Sequence, residues 1–305
     1  RMTQYERPRS VQDAVGMLQQ WRGAARVIAG GTDVLPDIRR HKWQPECLVD
    51  ITGIPELGDV RFSAEWIEVG AAVTFADLLA CDGLEREAAA LVPAARSVGA
   101  PGIQHQATWI GNIVQSMPAA DGAIVALALE AEVCIVDAVG TRWQPVETVF
   151  TGPGVCTIDP TSQLITHIRF PRARPGVGTA WRRVARRATL VLPIVNCAVK
   201  VVLNPDEGDV AAAVIAMGPV APRPFRARSA EAALRGGPPT QEMIEAAAWL
   251  AQEEADPRSN PLRASRTYRL SVIPVLVEEA LTLALDRARD SLVVTCRRAD
   301  TAEGG

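Results

Sequence analysis

Two short loops carry the residues best suited to chemistry. The first, "AGGTD" (Ala29 to Asp33), follows the β-branched run "RVI" and sets two adjacent glycines beside a hydroxyl and a carboxylate. Gly30 and Gly31 can adopt positive φ, and successive backbone amides in such a turn form a concave anion seat. Thr32 and Asp33 add groups suited to phosphate and sugar hydroxyls. The second loop, "ATWIGNIVQSMPAAD" (107–121), offers Thr108, Gly111, Asn112 and Asp121 and leads into the apolar helix "GAIVALALE". A helix start with exposed amides beside a small hydroxyl makes a second diphosphate seat. Taken singly, the first loop could equally be a plain chain reversal, and the second a loop in which Asp121 caps the helix.

Little else in the chain competes with these loops. There is no phosphate-binding G-x-x-x-x-G-K-[ST] loop, no nucleophile elbow and no H-E-x-x-H pair. "GPGVCT" and "GVGTAW" lack the third glycine of a dinucleotide fingerprint. His41, His105 and His167 are isolated and read as surface or structural histidines. Cys47, Cys81, Cys134, Cys156, Cys197 and Cys296 have no metal-site spacing and read as core thiols, so any metal cluster belongs to another chain. A self-contained hydrolase or metalloenzyme is thereby disfavoured. A net charge of −3 gives no reason to expect nucleic acid or an anionic membrane as partner. The longest apolar runs are too short to span a bilayer and are broken by Glu130, Glu132, Asn196 or Lys200. With no secretory signal, and Met2 read as the natural start, the expected location is the cytoplasm.

The 305 residues, 48% of them hydrophobic, can build two or three packed units. Ser10 is placed to cap a helix over 10–21. "RVIAG" and "ECLVDI" read as strands joined through a helix, a parallel βαβ unit. "RFSAEWIEVGAAVTF" predicts a hairpin, Thr74 a capped helix over 75–81, and Leu84–Val98 a further helical stretch. "AEVCIV" and "QLITHIRF" have strand character, and "RARPGVG" (172–178) is the expected linker. Beyond it come two strands of an antiparallel sheet, helices at 229–235, 240–254 and 267–288, and a tail expected to fray. The fold class is α+β, with boundaries expected at 1–57, 58–175, 176–290 and 291–305.

In this order, "AGGTDVLP" and "ATWIGNIVQSMPAAD" resemble the paired FAD loops of the flavin subunits of molybdenum hydroxylases, the xanthine dehydrogenase, carbon monoxide dehydrogenase and 4-hydroxybenzoyl-CoA reductase group. The likeness continues through "ITHIRFP", "AWRRVARRATLVLPIVNCAV", "AMGPVAPRPFRARSAEAAL" and "SRTYRLSVIPVLVEEAL", nearly the full length. It implies a two-part FAD-binding domain of the vanillyl-alcohol-oxidase/CO-dehydrogenase-flavoprotein type over 1–57 and 58–175, then a C-terminal antiparallel sheet with helices.

By this resemblance Ala29, Gly30, Gly31, Thr32, Asp33, Val34 and Leu35 would wrap the FAD diphosphate and ribityl chain. Thr108, Ile110, Gly111, Asn112 and Asp121 would close from the other loop. Leu164 and Ile165 match an aliphatic pair against the isoalloxazine, and Arg182 falls where a family lysine sits near the flavin's pyrimidine edge. The resemblance further implies a large molybdopterin subunit and a small subunit with two [2Fe–2S] clusters, commonly as a dimer of heterotrimers. Electrons would pass through FAD to NAD, a quinone, a ferredoxin or oxygen. This chain has Ile110 where the family has the first glycine of its A-T-I-G-G-N loop. If that position takes positive φ, a β-branched residue is strained by about 1–3 kcal/mol. That departure motivates an alternative, a structural subunit that has lost FAD; a stand-alone flavin oxidase is a third reading. The four-cysteine insertion of 4-hydroxybenzoyl-CoA reductase is missing, so no cluster is expected on this chain.

Overall fold

The computed structural model describes residues 3–303, with side chains through residue 293. The chain divides into two compact units, Arg1–Cys81 with Ala95–Met117 and Glu130–Pro171, and Asp82–Ala94 with Pro118–Leu129 and Arg172–Gly305.

In the first unit Ser10 caps helix Val11–Trp21, its hydroxyl accepting from the Asp13 amide at 3.0 Å. Val11, Ala14, Val15 and Leu18 form the buried face, at the spacing of one helical stripe. Strand Cys47–Asp50 lies between Gln4–Glu6 and Ala25–Ile28 and runs parallel to both. It is buried at every position, as a middle strand of a parallel sheet must be. Helix Val34–Arg39 supplies the connection, so the expected βαβ unit forms. Strand Gln4–Glu6 was not anticipated; its polar, short segment is recruited by pairing with Cys47–Val49.

An antiparallel sheet follows, in the order Val60–Phe62, Trp66–Gly70, Leu164–Pro171, Glu132–Val136, Thr141–Pro145. Thr74 caps helix Phe75–Ala80 through a reciprocal box with Asp77. The packing anchor is Trp109. It is fully buried and meets Phe170 of the middle strand edge-on, with ring centroids 6.0 Å apart and planes at 66°.

The second unit is a four-stranded antiparallel sheet in the order Val177–Val184, Val195–Leu203, Val210–Gly218, Phe225–Arg226. Helices Asp121–Ala128, Arg228–Ala233, Gln241–Glu254 and Arg266–Glu303 belong with it. The long helix lies directly on the first strand. A β-carbon at Gly178 would stand 1.9 Å from the Ala284 carbonyl oxygen and 2.6 Å from the Ala288 amide nitrogen. Ala280, Ala284 and Ala288, every fourth residue, are fully buried and make that approach possible.

Three expectations are corrected. The linker over 172–178 ends at Gly176, because Val177 and Gly178 already pair with Val202 and Val201. The helical stretch Leu84–Val98 is broken into Leu84–Glu87 and Leu91–Ser97. The Ala90 amide there donates to the buried Thr179 hydroxyl at 3.1 Å, and the Glu87 carboxylate is taken by Arg172 and the Ala173 amide. The tail does not fray at 297; the last helix runs to Glu303, since no glycine or proline interrupts 289–303. The core role expected of Cys296 and the end of the tail, Gly304 and Gly305, lie outside what is described. Among the described residues no helix is long and apolar enough to cross a membrane.

Trp109→Ala should lower the unfolding free energy by about 3–5 kcal/mol, read from urea titration. Gly178→Ala should cost about 1–3 kcal/mol or more, because the new methyl meets helix backbone that cannot move aside. Gly16→Ala is the opposite case: nothing stands within 4 Å of the added carbon on an exposed helix position. It should raise stability by about 0.5–1 kcal/mol, and thermal melts of these two glycine variants should shift in opposite directions.

Candidate functional site

Strand Ala25–Ile28 delivers the chain to Gly30 and Gly31. A β-carbon at Gly30 would fall 1.7 Å from the Gln106 carbonyl oxygen, so this glycine is required by the close approach of the second loop's backbone. Gly31 is the one with positive φ, +67°, and its open side is flanked by Ile28 and Leu35. The turn then becomes a helix at once: the Leu35 amide donates to the Gly31 carbonyl and the Asp37 amide to the Asp33 carbonyl, each at 3.0 Å.

The second loop is held from beneath. The Phe75 amide donates to the Ala107 carbonyl at 3.0 Å, and Trp109 fills the core below. Thr108 caps helix Trp109–Val114, its hydroxyl accepting from the Gly111 amide at 3.0 Å. Ile110 therefore has ordinary helical backbone and is 5% exposed. The strain expected at Ile110 does not arise, because the segment is a helical turn and not a left-handed loop.

These two loops and a third segment, Gly154–Ile165, surround one cleft of about 620 Å³, within the range of a cofactor site. Ala29, Gly30, Gly31, Thr32, Asp33, Val34, Thr108, Ile110, Gly111, Asn112, Leu164 and Ile165 all line it. Leu164 and Ile165 open the middle strand of the five-stranded sheet and are 2% and 3% exposed. Leu35 is not in the lining; it is 41% exposed and its side chain lies against Gly31.

Asp121 and Arg182 belong to the second unit and are not among the lining residues. Asp121 occupies the first turn of helix Asp121–Ala128, with Ala120 at the capping position, so the capping role is not seen. Its carboxylate is 6% exposed, accepts from the Asn196 side-chain amide and stands 3.6 Å from Arg183. Arg182 pairs with Glu279 at 3.4 Å and donates to the Trp181 carbonyl at 3.1 Å.

Sequence reasoning missed Arg26, Lys42, Trp43 and Asp159 among the lining residues. The Arg26 guanidinium lies over the Trp43 ring, 4.1 Å from its centroid. Asp37 accepts from Lys42 at 2.8 Å and from the Trp43 indole at 3.2 Å, and the lysine holds its carboxyl below the usual range. Cys156, expected in the core, is half-buried and lines the cleft; burial raises its thiol pKa. His167 is structural as expected, with Nε2 3.2 Å from the Glu56 carbonyl oxygen.

Two buried polar atoms in the lining have no partner in the protein, Arg26 Nε and Asn112 Oδ1. Such atoms are costly unless something else satisfies them. With the left-handed turn at Gly31 and the apolar wall of Ile110, Leu164 and Ile165, they fit a ligand that is polar in one part and flat and apolar in another. Among the lining residues no histidine or serine offers a nucleophile or a base. The cleft is built to hold a group that brings its own reactivity.

Comparison with known proteins agrees. Residues 1–173 match the family described as "FAD binding domain in molybdopterin dehydrogenase", and residues 180–284 match "CO dehydrogenase flavoprotein C-terminal domain". The xanthine dehydrogenase FAD-binding subunit of Escherichia coli O157:H7 is 29% identical over 94% of this chain and 98% of its own length. The carbon monoxide dehydrogenase medium chain of Hydrogenophaga pseudoflava is 29% identical over 93% of this chain and 97% of its own. A solved structure of carbon monoxide dehydrogenase from that organism superposes with a TM-score of 0.87 at 30% identity, covering 94% of this chain and 98% of its counterpart. The chain belongs to the FAD-binding subunits of the molybdenum hydroxylases, a family of oxidoreductase components.

Proposed function

We propose that this chain is the FAD-carrying electron-transfer subunit of a heteromeric molybdenum-containing hydroxylase or dehydrogenase. The convergence of Ala29–Val34 and Thr108–Asn112 on a single cleft carries this reading, supported by the family match over residues 1–173. On this reading Ala29, Gly30, Gly31, Thr32, Asp33 and Val34 hold the diphosphate and ribityl chain, and Thr108, Ile110, Gly111 and Asn112 close from the opposite loop. Leu35 stiffens the turn from behind. Leu164 and Ile165 present an aliphatic face to the isoalloxazine and exclude water from it. Bound FAD supplies the redox chemistry, accepting electrons from [2Fe–2S] clusters and passing them to an external acceptor such as NAD, a quinone, a ferredoxin or oxygen. The clusters and the molybdopterin belong to a small and a large partner subunit, assembled as a dimer of heterotrimers. Ile110, the residue that could have marked a lost site, is unstrained, so no observation favours the FAD-free alternative.

A visible spectrum of the purified chain, recorded before and after FAD addition and removal of excess, should show stoichiometric flavin bands. A colourless protein that stays colourless with its partner chains present would reject the proposal. Ile110→Gly, which restores the family's glycine, should not tighten FAD binding. It should lower stability by about 3–5 kcal/mol, because it empties a buried site and loosens a helical turn.

A further inference from the structure

We propose that two neighbouring loops of the second unit form a docking face for an acidic protein. The first, residues 185–194, joins strand Val177–Val184 to strand Val195–Leu203; the second, 255–265, joins helix Gln241–Glu254 to helix Arg266–Glu303. Arg186 Nε donates to the Arg263 carbonyl at 3.2 Å and ties one loop to the other. Together the loops hold the cations Arg186, Arg187, Arg258 and Arg263 and one carboxylate, Asp256, which is taken by Arg266 at 3.1 Å. Among the described residues no carboxylate lies within ion-pair reach of any of the four cations. Their field is felt inside the unit: the buried Arg269 has its pKa lowered by burial and then by Arg263 and Arg258. A chain of net charge −3 that gathers uncompensated cations in one place presents them to an anionic surface.

The same loops show large apolar side chains to water. Leu262 is 83% exposed, Leu190 57% and Leu192 44%. Apolar groups in the open, rimmed by charge, mark protein interaction surfaces. The first loop is also held in a costly shape. Leu190 takes φ +52°, a left-handed conformation that a bulky side chain rarely adopts. Arg187 donates to the Leu190 carbonyl and Arg183 to the Val191 carbonyl, and these bonds hold it there. An anionic membrane would also attract leucines and arginines, but a fluid bilayer imposes no fixed geometry and gains nothing from this constraint. A folded partner does gain, because a surface set before binding has less entropy to lose. The chemistry that fits is a protein with acidic groups around an apolar contact. That partner class rests on the electron-transfer reading above, which calls for an external acceptor, and an acidic ferredoxin belongs to it; docking itself needs no flavin.

The experiment is biolayer interferometry of the full chain against a [2Fe–2S] ferredoxin, the acidic probe, with and without added FAD. The unaltered chain should bind at about 50 mM salt and lose about tenfold or more in affinity by about 300 mM, because exposed ion contacts are screened. Arg258→Glu combined with Arg263→Glu should weaken binding about tenfold or more at low salt and flatten the salt dependence. Leu262→Ser serves as a second variant that keeps every charge; it should weaken binding about threefold or more and leave the salt dependence as it was. Both variants lie on exposed loops and should melt as the unaltered chain does. No binding by the unaltered chain, or binding indifferent to both variants, would overturn the inference. Capture by anionic phosphatidylglycerol vesicles in place of ferredoxin, lost in the same variants, would overturn it in favour of a membrane surface. A chain that binds ferredoxin in this way yet never takes up FAD would uphold the docking face and overturn the electron-transfer reading instead.

Discussion

The site depends on one close approach of backbone to backbone. Gly30 backs onto the Gln106 carbonyl so tightly that no β-carbon could stand between them. This junction brings the loop after strand Ala25–Ile28 against the loop that leads into helix Trp109–Val114. Residues some eighty positions apart in sequence become two walls of one cleft. Gly31 then does a different job, turning the chain through positive φ so that Asp33 can head a helix. Adjacent glycines of identical chemistry answer to separate demands, one steric and one conformational.

The same steric device holds the second unit together. Gly178 admits the backbone of helix Arg266–Glu303, and Gly218 stands where a β-carbon would lie 2.1 Å from the Pro118 carbonyl oxygen. Both glycines lie in strands, where glycine normally weakens pairing, and close packing is the compensation. Around Gly218 the buried polar pair Asn196 and Asp121 is linked by a hydrogen bond, with Arg183 close to the carboxylate. A carboxylate buried in this way requires such partners, so Asp121 acts in the packing of its own unit, whatever else it does.

The cleft shows a division of labour between protein and cofactor. Of its acidic residues Asp159 is held by the Thr161 amide and hydroxyl and the Ser162 hydroxyl, its wall of Leu164, Ile165 and Ile110 is inert, and its unsatisfied atoms belong to Arg26 and Asn112. No side chain in that set can transfer a hydride. What the protein supplies is a shape, a dry face and a few unpaired polar atoms, which is what a redox cofactor needs from its host.

The sequence by itself determined much of this. Local signals are self-sufficient where a side chain meets its own backbone, as with Ser10 and Thr74 at their helices. Alternation and apolar runs likewise marked Glu132–Val136, Leu164–Pro171, Val195–Leu203 and Val210–Gly218 as strands, because burial of one face is encoded residue by residue. The ordered motifs were enough to point to the family and to part of the lining, Ala29 to Val34, Thr108, Ile110 to Asn112, Leu164 and Ile165. Only the tertiary structure decided the rest. Strand Gln4–Glu6 exists because its neighbour offers an edge, and the break after Glu87 exists because Thr179 takes the Ala90 amide. The backbone of Ile110 depended on whether Thr108 capped a helix there, which Trp109 settles by filling the core beneath. Arg26, Trp43 and Cys156 carried no motif, since a cation, an indole and a thiol far apart in sequence acquire meaning only when the fold puts them around one cavity.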